Sequence, residues 1–278
     1  MAPRHDEGFF SARDNLRLFW ESDVPEDPKA HVAVLHGYAD HSGRYRGIIQ
    51  HLVGEGYAVH AFDYRGHGQS GGRRGHCDHF NDYLDDVDAF WARVKEASGG
   101  KKTFVLAHSH GALISVVWQK RSPAGLDGLI LSAPYLKLAL EPPRLKVLVA
   151  QMVGAVVPWL PVKNPLVPEQ LTRDPAAQRE VMKDHLYNQV VTPRWFRESN
   201  AAQHEAMALA PSLKLPIFVF CGSADPIASA SATQKFFEAV GSSDKRLKVY
   251  EGFVHEPMND LGKEQVWRDI SLWISEHL

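Results

Sequence analysis

What most restricts the fold of this chain is a repeated alternation. Short apolar, β-branched runs end in glycine or a small polar residue, and each is followed by a stretch of helical length and period. The runs are "HVAVLHG" (31–37), "YAVHAFDYRGHG" (57–68), "TFVLAHS" (103–109), "LDGLILSAPYL" (126–136), "LPIFVFCGSADP" (215–226) and "KRLKVYEG" (245–252). "FNDYLDDVDAFWARVKEA" shows the helical period best, with Tyr83, Leu84, Val87, Phe90, Trp91 and Val94 at three-to-four spacing. Buried strands alternating with helices predict an α/β fold, a mostly parallel sheet with helices on both faces. An earlier run, "NLRLFWES" (15–22), alternates as an antiparallel strand does.

The alternation breaks once. From about Leu136 to Pro211 the chain carries most of its prolines, several aromatic residues and no clear strand. This reads as a helical insertion after the fifth or sixth strand. The expected organisation is a core in two parts, 1–135 and 212–278, separated by the insertion 136–211. Inside the insertion, "VLVAQMVGAVVPWLP" (147–161) is the most hydrophobic segment. It falls short of the roughly 20 apolar residues that span a bilayer, and proline and glycine interrupt it. We expect its side chains in part to pack the insertion on the sheet and in part to lie over a pocket mouth.

Bulk charge excludes other classes. With 31 basic and 33 acidic residues the formal net charge is −2, which offers no field for nucleic acid or an anionic membrane. Two cysteines, Cys77 and Cys221, form no C-x-x-C pair, and the charged "MAPRHDEGFF" lacks a signal-peptide core. Reduced thiols in a cytoplasmic setting are the simplest reading.

In a sheet of this type, function gathers beyond the carboxyl ends of the strands. "VLAHSHGALI" (105–114) stops there at Ser109, with small residues, Ala107 and Gly111, two positions away on each side. Such a strand-to-helix elbow holds a serine clear of both elements. A nucleophilic serine needs a base, and the base an orienting acid, in the order Ser, Asp, His. "IFVFCGSADP" ends in Asp225, and the loop after the next strand carries His255. An oxyanion needs preorganised donors: the backbone N–H of His110, after the serine, and that of Tyr38, at the H-G corner of "VLHGYADHSGRY". Fifteen histidines invite a metal, but His76, Asp78 and His79 near Cys77, or His108 with His110, lack the spacing of a known site. "YRGHGQSGG" lacks the G-K-[ST] ending of a phosphate-binding loop and reads as a loop closing the site edge. No metal and no cofactor is assigned.

In this order and at these intervals, "HGYADHSGRY", "AFDYRGHGQSGG", "AHSHG", "GSADP" and "GFVHEPMND" resemble the monoacylglycerol lipase and lysophospholipase group of α/β-hydrolases. The resemblance runs from about Phe10 to the C-terminus, the insertion excepted. It implies an eight-stranded sheet, a mobile cap, and a serine hydrolase with Ser109, Asp225 and His255 as its triad. The substrate it implies is a small lipid ester, with transient contact between the cap and lipid aggregates or a membrane surface. Three departures stand out. Ala107 and Ala39 replace glycines, expected to be a minor steric change. His110 replaces a methionine that faces the acyl pocket, where it is expected to alter substrate preference. A small-ester carboxylesterase, a perhydrolase and a carbon–carbon hydrolase remain open on the same fold. A ligand receptor with an unactivated serine is the alternative outside enzymes.

Overall fold

The computed structural model describes residues 2–140, 154 and 156–278. Its main sheet has eight strands: β1 (Arg4–Ser11), β2 (Arg17–Val24), β3 (His31–Leu35), β4 (Ala58–Phe62), β5 (Thr103–His108), β6 (Gly128–Ser132), β9 (Ile217–Gly222) and β10 (Lys245–Tyr250). They lie in the order β1-β2-β4-β3-β5-β6-β9-β10, antiparallel at β1-β2 and β2-β4 and parallel from there on. The expected α/β architecture is therefore present, with the eight strands that the resemblance implied and one more than the apolar runs by themselves show. β1 escaped it because an edge strand with exposed charged side chains shows no buried apolar pattern.

Two cores follow from the pleat, since successive side chains on a strand face opposite ways. Ala33, Leu35, Val105 and Ala107 join a core under helices α2 (Phe80–Ser98), α3 (His110–Trp118) and α7 (Ala230–Ala239). Val32, Val34, Phe104 and Leu106 join the other, under α1 (Arg46–Gly54) and α8 (Lys263–Glu276). Every residue of β3, β5, β6 and β9 is buried, as expected of strands covered on both faces.

Between β6 and β9 the described chain adds no strand to this sheet. It forms α4 (Pro168–Leu171), α5 (Pro175–Lys183) and α6 (Pro193–Leu209), and two-residue strands β7 (Val162–Lys163) and β8 (Val190–Val191) pair with each other. That small ribbon is an addition to the all-helical expectation. α6 turns its small and aromatic face, Trp195, Ser199, Ala202 and Ala206, to the core. Of the apolar segment 147–161, residues 147–153 and 155 lie outside the described ones. Of its described part, Val156 is 76% exposed and Trp159 50%.

Candidate active site

β5 and α3 meet at Ser109, whose backbone adopts φ 50° and ψ −112°. This is a strained conformation for a non-glycine residue, held by neighbours: Ser109 N donates to Ser132 O, and Ser109 O accepts from Leu113 N and Tyr135 N. Such a tight corner brings α3 against the next strand. A Cβ on Gly111 would lie 2.5 Å from the carbonyl oxygens of Leu35 and His36, so only glycine fits there.

Strands β9 and β10 deliver the other two candidates to the same place. His255 Nε2 is 2.9 Å from Ser109 Oγ, and His255 Nδ1 is 2.8 Å from Asp225 Oδ2. All three side chains are shielded from solvent; Ser109 is 5% and His255 4% exposed. Asp225 Oδ1 accepts from the N–H groups of Ile227 and Ala228, which orients the carboxylate. The cap of the following helix is Ser229, not Asp225, so the aspartate is free of that role. Burial pushes the His255 pKa down, but the charge and hydrogen bond of Asp225, with Glu256 and Asp40 adding to them, leave it above the ordinary histidine value. Hydroxyl, imidazole and carboxylate in this line can generate a nucleophile from serine.

Gly37 and Tyr38 form the pocket wall beside Ser109. A Cβ on Gly37 would meet the His108 ring at 2.9 Å and Ser109 Cβ at 3.4 Å, which measures how closely this loop approaches the serine. Gly37 N is taken by Tyr45 Oη, which anchors the loop. The Tyr38 hydroxyl donates to Val190 O at 2.5 Å, so the side chain ties the loop to the insertion. His110 opens α3, and a first-turn N–H has no partner within its helix.

Three expectations from the sequence are revised. Ala39 sits at φ 69°, in the left-handed region, so alanine for glycine there carries backbone strain and is more than a small steric change. The His110 side chain does not face the pocket. It is 1% exposed and packs among the rings of Tyr38, Phe80, Tyr83 and Trp195, with Nε2 3.2 Å from Ser199 Oγ on α6. The "YRGHGQSGG" loop likewise folds around Asp63, which accepts from Ser42 N and Gln69 N, and contributes no pocket-lining residue.

Sequence reasoning missed most of the pocket. The cavity has a volume of about 230 Å³ and is lined by Ser109 and His255. Its walls are mostly apolar, and the insertion supplies Leu138, Leu166, Leu171, Val191 and Phe196. Asp40, His108 and Glu256 add polar side chains to the lining. Arg44 lies between Asp40 and Glu256 and pairs with both. Burial raises the Asp40 carboxyl to about 6 despite Arg44, with Glu256 adding to the rise. Asp40, His108 and Glu256 bring ligand-type atoms within 4.8 Å of one another, yet the guanidinium already supplies the cation there. His76 bonds Thr192 and Asp78, His79 caps α2, and His108 bonds Ser132, so the histidines singled out in the sequence have separate partners.

Comparison with known proteins gives a consistent picture. The family model Hydrolase_4, described as serine aminopeptidase, S33, matches residues 26–262. The chain is 30% identical over 274 residues to the monoacylglycerol lipase of Mycolicibacterium smegmatis, covering 98% of each. It is 29% identical over 262 residues to phospholipase YtpA of Bacillus subtilis, covering 93% of this chain and 99% of the relative. The crystal structure of Paleococcus ferrophilus monoacylglycerol lipase superposes with a TM-score of 0.82 at 28% identity, covering all of both chains.

Proposed function

The chain belongs to the Hydrolase_4 family, serine aminopeptidase, S33, and on that premise we propose that Ser109, His255 and Asp225 cleave monoacylglycerols through an acyl-enzyme. The chain is a carboxylic ester hydrolase acting on small lipid esters. In the proposed cycle His255 Nε2 takes the proton of Ser109 Oγ as that oxygen attacks the ester carbonyl. Asp225 holds the ring in the needed tautomer and stabilises the imidazolium. The N–H groups of Tyr38 and His110 receive the oxyanion. His255 then protonates the leaving alcohol, and water repeats the sequence on the acyl-serine to release the carboxylic acid.

The observation that carries this reading is a mostly apolar cavity lined by Ser109 and His255. An amphiphile needs apolar walls for its chain and a few polar partners for its alcohol, and the lining supplies both beside the nucleophile. The polar groups favour a neutral polyol over a phosphorylated alcohol, because Arg44 is already shared by the carboxylates of Asp40 and Glu256. Residues 136–211 serve as the cap in this reading, and exposed Val156, Trp159, Leu160 and Val162 are the surface that meets lipid aggregates. Among the described residues no helix is long and apolar enough to cross a membrane, and we assign a cytoplasmic location with no nucleic-acid partner.

Steady-state kinetics on monoacylglycerols, lysophosphatidylcholines and p-nitrophenyl esters of increasing chain length test the proposal. Each buried methylene adds about 0.8 kcal/mol of binding, or about fourfold, so kcat/KM should climb from acetyl toward octanoyl. Replacing Leu166 and Val191 with serine should flatten the climb. Acetyl esters as best substrates would replace the lipid reading by the small-ester one.

A further inference from the structure

We propose that the His110 side chain is a positioning residue that docks α6 on the nucleophile elbow through Ser199 and Trp195, and so sets the acyl-chain preference of the pocket. The inference rests on the ester-hydrolase reading above and adds a specificity determinant outside the pocket lining.

Trp195 and Ser199 are four residues apart on α6 and therefore share one face, a single turn from each other. Both touch His110: the Trp195 ring centroid is 5.0 Å from the imidazole centroid and Ser199 Oγ is 3.2 Å from Nε2. Further along the same face Ala202 and Ala206 are buried and small, which lets α6 lie close to the core. His110 thus locates the inward face of the N-terminal turns, whose flanks are tied by Thr192 to Gly75 and by Glu198 to Phe80 N, while the C-terminal end is located by close packing.

Trp195 carries the effect to the substrate. Its ring lines the cavity, packs on Tyr38 with centroids 4.0 Å apart, and stacks near Tyr135 at 6.3 Å. Phe196, the next residue on α6, lines the same cavity. A shift of the first two turns of α6 therefore moves two large aromatic walls of the cavity, while Ser109, His255 and Asp225 stay at the sheet edge. The imidazole suits this task because its surroundings keep it neutral. Burial, with His67 and His36 nearby, holds its pKa well below the ordinary value. A neutral ring fully enclosed by aromatic groups needs its ring nitrogen satisfied, and Ser199, itself fully buried, is the partner the structure provides.

The test is a double-mutant cycle in the full chain, with p-nitrophenyl acetate and octanoate as probes and thermal melting in parallel. Ser199→Ala should lower kcat/KM for octanoate by about tenfold, mainly through KM, and change acetate by less than about twofold. In a His110→Met background, where no ring nitrogen asks for a partner, Ser199→Ala should change octanoate by less than about twofold. An octanoate-to-acetate ratio unchanged by Ser199→Ala overturns the proposal, as do effects that simply multiply in the double variant. If Ser199→Ala melts early, His110→Met must restore both melting and ratio, and failure to do so also overturns it. A parent protein that hydrolyses neither ester refutes the functional reading instead.

Discussion

Arg44 Nη2 lies 2.6 Å from Glu256 Oε2, and the same guanidinium pairs through Nε with Asp40, all three side chains at least nine-tenths buried. One cation thus holds two carboxylates beside His255, and it joins the residue after His255 to the loop that carries Tyr38. Removing one partner of a buried ion pair leaves an uncompensated charge, so Arg44→Met should lower unfolding stability by about 3–5 kcal/mol near neutral pH. The deficit should shrink at pH 5, where Asp40, whose carboxyl is raised by burial to about 6, takes up a proton. Urea unfolding at pH 8 and pH 5 measures both, and a deficit equal at the two pH values contradicts the assignment.

The strained elbow predicts a clean separation of chemistry from folding. Ser109→Ala removes one hydroxyl and no packing atom, so its melting temperature should stay within a few degrees of the parent while the rate drops about a thousandfold or more. Reaction with a fluorophosphonate probe should vanish in the same variant. Labelling that persists points to another nucleophile.

The pH profile follows from the environment of His255. The imidazole acts as a base only when neutral, and its pKa is raised by Asp225, Glu256 and Asp40 against the effect of burial. Activity is therefore lost as pH falls through a value above the ordinary histidine pKa of about 6.5. Asp225→Asn removes the principal raising charge and should move the acid limb of kcat/KM downward, together with a large loss of rate. An acid limb that stays in place in this variant contradicts the assignment.

A stacked pair far from the site makes a separate prediction about stability. His31 Nδ1 and His60 Nε2 are 2.9 Å apart, and burial lowers the two pKa values to about 4 and about 3, with Lys101 assisting at His31 and His31 at His60. Histidines depressed in the folded state are neutral there while the unfolded chain takes up protons near pH 6.5. Their contribution is thus present above about 6.5 and is lost as pH falls toward 4. Chemical denaturation at pH 7 and pH 5 should show a loss of stability that is smaller in a His31→Asn, His60→Asn variant, which has no imidazole to titrate at these positions.

The parts legible in the sequence share a local cause. Buried parallel strands read as continuous apolar runs, and an elbow demands small residues at fixed offsets, so β3, β5, β6 and β9 and the serine between Ala107 and Gly111 are visible without coordinates. Asp225 and His255 were legible as residues because each follows a strand end, and parallel strands deliver their ends to one edge. β1 was not, because its stability comes from pairing with β2 and leaves no apolar pattern. The pocket walls were not either: Leu138, Leu166, Leu171 and Val191 lie in a segment whose path over the sheet has no sequence period.

The sequence by itself determined the layered α/β architecture, the strand-end positions of three candidate side chains and the absence of any large field of charge, since period, turn chemistry and net charge are local or additive properties. Only the tertiary structure decided that His110 turns from the pocket into an aromatic cage under α6, that Ala39 takes a left-handed backbone, and that Arg44 is shared by Asp40 and Glu256. Residues 44 and 256 stand 212 positions apart and His110 and Ser199 stand 89 apart. Such pairings arise from close packing of distant segments, where volume and desolvation choose the partner, and no local rule of the chain encodes that choice.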